Sequence, residues 1–135
     1  MDNDFTFSDT FMAEKKAGEY DSVLLRFEGI DTLADIFLND IFLGSTCNMH
    51  RTYEFDVAES LREGENTLRV ELHSPTRYIK EENEKVYTGG SWDAMEGFPH
   101  LRKAHCMFGW DWGPKLPDMG IWRDIYIEEV NGARI

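Results

Sequence analysis

Alternation of apolar and polar residues with a period of two recurs along this chain, and it limits the possible folds more than any other feature. Successive side chains of a strand point to opposite faces, so this period marks segments with one face in a core and one in water. Phe5, Phe7 and Phe11 share parity within residues 4–11. Val23, Leu25 and Phe27 do so within 22–28, leaving Arg26 and Glu28 outward. Ala34, Ile36 and Leu38 mark a strand at 33–38, and 41–44 returns after Asn39-Asp40, a two-residue hairpin signal. Tyr53, Phe55 and Val57 alternate with Glu54 and Asp56. After a turn at 64–66, Leu68, Val70 and Leu72 define 67–72, and Ile121, Ile125 and Ile127 share parity in a closing strand at 121–128.

These seven short strands, spaced by turn signals, predict an all-β sandwich. One helix interrupts them. Ser74-Pro75 reads as an N-cap followed by proline at the first helical position, opening a short helix to about Lys85. A chain of 135 residues is the size of one domain, and neither an internal repeat nor a low-complexity segment divides it.

Between Tyr87 and Gly120 the alternation stops. This stretch holds Gly89, Gly90, Gly97, Gly109, Gly113 and Gly120, three of the 4 prolines, and Trp92, Trp110 and Trp112. A connection this long without regular structure is uncommon in a compact domain unless it serves function. Its densest part is Phe108-Gly109-Trp110-Asp111-Trp112-Gly113-Pro114. Two indole rings flank one carboxylate, and glycines enclose the trio. A flat aromatic surface beside a hydrogen-bond acceptor suits a sugar, whose C–H face stacks on the ring while its hydroxyls donate to the acid. The competing reading is packing tryptophans around an aspartate that caps a turn.

Charge narrows the partners. Lys and Arg total 14 against 26 Asp and Glu, a net charge of -12. Nucleic acids and anionic membrane surfaces both call for positive charge, so neither is an expected partner. No apolar run approaches the roughly 20 residues of a membrane-spanning helix, and the opening Met1-Asp2-Asn3-Asp4 is acidic where a signal peptide would be basic.

Other chemistries find little support. His50, His73, His100 and His105 lie near no Cys-x-x-Cys or His-x-x-x-His pattern, so no metal site is expected. Nucleophile, phosphate-loop and dinucleotide motifs are missing, and no cofactor is expected. Cys47 and Cys106 are too few for a disulfide framework; they could pair if the fold brings them together, but read first as free, mostly buried thiols. Asp93, Glu96, Asp111 and Asp118 lie in the long loop, but their spacing selects no acid/base pair of the kind that hydrolyses glycosides.

Several stretches, taken in order, resemble the N-terminal domain of glycoside hydrolase family 2, and most closely its β-mannosidases. They are residues 27–39 (Phe-Glu-Gly-Ile-Asp-Thr-Leu-Ala-Asp-Ile-Phe-Leu-Asn), Asn48-Met49-His50-Arg51, Tyr53-Glu54-Phe55-Asp56-Val57, Gly64-Glu65-Asn66-Thr67-Leu68, Leu101-Arg102-Lys103-Ala104, the Trp-Asp-Trp-Gly-Pro run and Gly120-Ile121-Trp122-Arg123-Asp124. The resemblance implies a jelly-roll sandwich of the galactose-binding-like type. It also implies a multi-domain parent whose (β/α)₈ barrel carries both catalytic glutamates and hydrolyses terminal β-D-mannosides with retention. On that basis residues 1–135 form a single non-catalytic domain, inactive alone, with the barrel of the same chain and a carbohydrate as partners. Asp111 is carried over as a hydroxyl acceptor of the sugar pocket, and Trp110 and Trp112 as its wall or support. Arg102 is placed to orient Asp111 by a charge-assisted pair, with a surface salt bridge as the alternative. Family domains carry a strand before the segment matching Phe5 to Phe11. Its absence here would leave a sheet edge open and favour self-association. Three other readings stand beside this one: an autonomous carbohydrate-binding module, the same domain of a β-galactosidase or β-glucuronidase, and a purely structural sandwich that props up the barrel.

Overall fold

The computed structural model describes residues 2–14, 20–110 and 113–133. The strands are β1 (Phe5–Ala13), β2 (Ser22–Phe27), β3 (Ile30–Asp31), β4 (Leu33–Leu38), β5 (Ile41–Cys47), β6 (Tyr53–Asp56), β7 (Gly64–Leu72), β8 (Gly120–Ile121) and β9 (Ile125–Val130). Among the described residues a single α-helix, α1 (Pro75–Lys85), follows β7. A four-stranded sheet runs β1-β7-β4-β5, a three-stranded sheet runs β6-β2-β9, and β3 pairs with β8 in a short ribbon. All of these pairings are antiparallel.

The alternation explains the layers. Val23, Leu25 and Phe27 of the smaller sheet and Ala34, Ile36, Leu38, Val70 and Leu72 of the larger one are all buried in one cluster. Each buried Val, Leu, Ile or Phe contributes roughly 1.5–3 kcal/mol through removal of apolar surface from water. On the outward face of β2, Arg26 meets Glu28 at 2.7 Å and Glu54 at 2.5 Å.

Two local signals are realised as the sequence predicts. Asn39 and Asp40 have φ of 52° and 65°. These left-handed values at both turn positions are what a two-residue hairpin requires, and Asn and Asp reach them at least cost after glycine. Ser74 caps α1, its Oγ accepting from the Arg77 N–H at 3.1 Å, with Pro75 in the first turn. Asp4 reinforces this end. Its carboxylate accepts from the Ser74 N–H at 2.8 Å and from Arg77 at 2.6 and 2.7 Å.

Four expectations need correction. Residues 64–66, read as a turn, belong to β7, where Asn66 pairs with Phe11 and is 1% exposed. The closing strand is two pieces: Ile121 pairs with Ile30 in the β3–β8 ribbon, while Ile125 and Ile127 pair with β2. The two cysteines are free as expected, but both are exposed. Cys47 ends the edge strand β5, and Cys106 lies in a 3₁₀ turn whose buried position is taken by Phe108. Finally, β1 is less buried than its alternation indicates. Phe5 and Phe7 stand opposite the buried Leu72 and Val70, hence on the core side, yet are 53% and 50% exposed. The smaller sheet ends at β9 and leaves them uncovered. An apolar groove of about 590 Å³ results, lined by Phe7, Phe11, Val70, Ile125 and Ile127 among others.

Candidate functional site

The glycine- and tryptophan-rich stretch is irregular but closely held. Two 3₁₀ turns, Phe98–His100 and His105–Phe108, carry a second small core in which Ile79 of α1, Leu101 and Phe108 are buried. Gly97 brings this segment onto the helix. Its φ is +82°, and a Cβ there would lie 2.5 Å from the carbonyl oxygen of Ile79, so no larger residue fits. Backbone bonds from the Met95 N–H to the Phe108 carbonyl (2.9 Å) and from the Met49 N–H to the Arg102 carbonyl (3.0 Å) fix the approach to the tryptophans.

Lys103 is the deepest polar anchor. Its side chain is 0% exposed and pairs with Asp31 of β3, itself 6% exposed. The same ammonium donates to the Asp118 carbonyl at 2.7 Å, and Thr32 Oγ1 donates to the Asp31 carboxylate. A buried charge is tolerated only when paired and hydrogen-bonded, and this one is.

Beyond Phe108 the chain turns through Gly109 at φ +105°, over which the stem of Lys115 lies. Trp110 and Gly113 then form an antiparallel bridge. Trp110 is 46% exposed. Asp111 and Trp112 lie outside the described residues. Arg102 is exposed and set beside Asn48 by its backbone, and its expected pairing with Asp111 also falls outside the described residues. Two of the other loop acids have local partners: Asp93 accepts from Ser91 Oγ, and Glu96 accepts from Asn83 Nδ2 at 3.1 Å. His100 hydrogen-bonds the Val86 carbonyl at 2.9 Å, and His105 packs edge-on against Phe98.

Sequence reasoning missed the Lys103–Asp31 pair. Arg102 drew attention as the cation near the tryptophans, yet the neighbouring lysine is the one taken inside. A signal was present. Lys103 follows Leu101 in a segment needed for packing, and Asp31 stands between Ile30 and Leu33 where both faces are covered.

A family model described as glycosyl hydrolase 2 galactose-binding domain-like matches residues 1–123. The chain is 37% identical to a β-mannosidase of Capra hircus over 97% of its own length, and 35% identical to a β-mannosidase of Mus musculus over 100%. Among solved structures, the β-D-mannosidase of Dictyoglomus thermophilum superposes with a TM-score of 0.90 at 38% identity over 98% of this chain. In each case the match spans only 16% of the relative's length. With a family match over most of its residues and alignments to relatives that span nearly all of it, the chain belongs to the glycosyl hydrolase 2 galactose-binding domain-like family.

Proposed function

We propose that this domain is the non-catalytic, sugar-binding N-terminal part of a retaining β-mannosidase. In this reading its Trp110-Asp111-Trp112 loop helps wall the pocket for a terminal β-D-mannose residue. The observation that carries the reading is the near-complete alignment with β-mannosidases, at 35–38% identity. The anchoring of the loop supports it. A segment fastened by a buried ion pair, a packed 3₁₀ turn and a backbone bridge presents Trp110 to solvent instead of folding it into the core. The bond-breaking carboxylates are assigned to a catalytic barrel elsewhere in the longer protein. The chemistry left to this domain is recognition: an indole face for sugar C–H bonds and the Asp111 carboxylate for hydroxyl protons. Arg102 is assigned to orienting that carboxylate. A site built to accept a hydroxyl discriminates strongly, because the buried acceptor is orphaned when the wrong sugar binds.

The test uses the longer enzyme, wild-type and Asp111→Asn, on aryl β-mannoside, β-galactoside and β-glucuronide. The expected result is a preference for mannoside and a loss in the variant of about 1–3 kcal/mol of transition-state stabilisation, seen in kcat/KM. Unchanged kinetics on the preferred substrate would make the loop scaffold only. Titration of the 135-residue chain with mannosides decides the alternative: micromolar binding in the absence of the barrel would identify an autonomous carbohydrate-binding module.

A further inference from the structure

We propose that Lys103 is a positioning residue whose buried ammonium closes the base of the Trp-Asp-Trp loop and sets its place against the sandwich. This rests on the reading that the loop walls a sugar pocket.

The geometry is that of a clasp. Lys103 stands at the start of the loop, and its Nζ donates to the carbonyl of Asp118 at the far end, 2.7 Å away. One side chain thus ties together two backbone points that lie 15 residues apart, with the tryptophan run between them. The clasp is fastened to the sandwich through Asp31, which lies 72 residues from Lys103. Asp31 is in turn the residue of β3 that pairs with Gly120 of β8, which lies just past Met119 from the clasped carbonyl. Three pieces of chain remote in sequence therefore meet at one charged pair.

Stability alone does not call for such a pair. Replacing buried ion pairs with apolar groups of similar size is often neutral or stabilising, so apolar residues would serve the core as well. Apolar contacts are non-directional, however, whereas an ammonium bound to a carboxylate and a carbonyl fixes where both must lie. Position is what a pocket wall needs, since a displacement of about 1 Å can lower turnover by about a hundredfold. The neighbouring contacts are oriented to the same end. The Ala104 N–H points at the Met49 sulfur at 2.9 Å, and the Lys115 stem covers Gly109, so each shoulder of the loop is held separately.

The single change Lys103→Met would strand a buried carboxylate and threaten folding, so the test variant is the pair Lys103→Met with Asp31→Asn. Hydrogen exchange is measured residue by residue in the 135-residue chain. The expected result is at least a tenfold rise in exchange for amides 104–118, with β2, β4 and β7 unchanged. An unaltered loop, or a uniform rise across all strands, would overturn the proposal. In the longer enzyme the same pair is expected to lower kcat/KM on an aryl β-mannoside by about a hundredfold. If the loop loosens and Asp111→Asn impairs hydrolysis while the pair variant does not, the positioning role of Lys103 is overturned. If the loop loosens and neither variant alters kinetics, the clasp stands and the pocket reading fails.

Discussion

Asn39 and Asn66 share a hydrogen bond at 2.8 Å, joining the β4–β5 hairpin turn to the first residues of β7. The amide of Asn66 is used on every side. Its oxygen also accepts from the Arg62 N–H at 2.8 Å, and its nitrogen donates to the carbonyls of Arg62 and Gly64 at 2.7 and 3.0 Å. Asn39 completes the junction by accepting from the Thr67 N–H at 3.0 Å. Asn66→Ala leaves several buried groups without partners, at roughly 1–3 kcal/mol each before water relieves those near the turn. The expected net loss is about 2–4 kcal/mol, read from the shift in urea midpoint. A loss below about 0.5 kcal/mol, the value of an ordinary surface change, would contradict this account.

Acid should destabilise the domain through identifiable carboxylates. Asp4 is held below the usual carboxylate range, chiefly by its hydrogen bond from Arg77, and Glu28 by those from Tyr126 and Arg26. At Asp35 burial pushes upward, but bonds from Ser45 and His73 outweigh it and the net direction is down. A carboxyl depressed in the folded state favours folding fully above its unfolded pKa, and that contribution is lost as pH falls through the folded value. The urea midpoint is therefore expected to hold near pH 7 and to decline below about pH 4. In Asp4→Asn the decline should be shallower, since one depressed group is removed. A variant that declines as steeply as the parent would show that Asp4 contributes nothing to the pH response. Solvent screening keeps the effect modest, because the Asp4 side chain is 46% exposed.

The open groove beside Phe5 and Phe7 makes self-association of the 135-residue chain an expected property. Strands β1 and β9 are both terminal in their sheets, and the core-side phenylalanines of β1 are half uncovered. Open edges with apolar neighbours recruit further strands. Sedimentation velocity across a concentration series should reveal dimers or larger species, and Phe7→Lys should return the chain to monomer. A longer chain that supplies its own strand to this groove is expected to lose the tendency. Strict monomer behaviour of the parent chain at high concentration would remove the argument.

What was legible in the sequence follows from range. The period-two runs other than the closing one, the Asn39-Asp40 turn and the Ser74 cap depend on neighbours a few residues apart, and each appears where its signal lies. The β3–β8 ribbon was hidden because a two-residue strand is too short to show a period. Asn66 looks like a turn residue because its type favours turns, but here its amide satisfies the backbone of a tight corner from inside the strand. The buried Lys103 was missed because its partner is remote in sequence, and a lysine counts as solvated until that partner is known. Half-exposed Phe5 and Phe7 expose the same limit from the opposite side: alternation tells which face a residue takes but not whether anything covers it.

The strand order also has a consequence for synthesis of the chain. In the larger sheet β1 pairs with β7, so Phe5 finds its partner only when Leu72 has been made. In the smaller sheet Ser22 pairs with Val130, almost at the end of the sequence. Translation at about 5–20 residues per second places these events several seconds apart. During that interval β2 is paired with β6 alone, and the growing polypeptide carries an apolar surface, awaiting β9, that a chaperone could hold. Completion of the smaller sheet is thus timed by β9, not by the first strand that is able to pair.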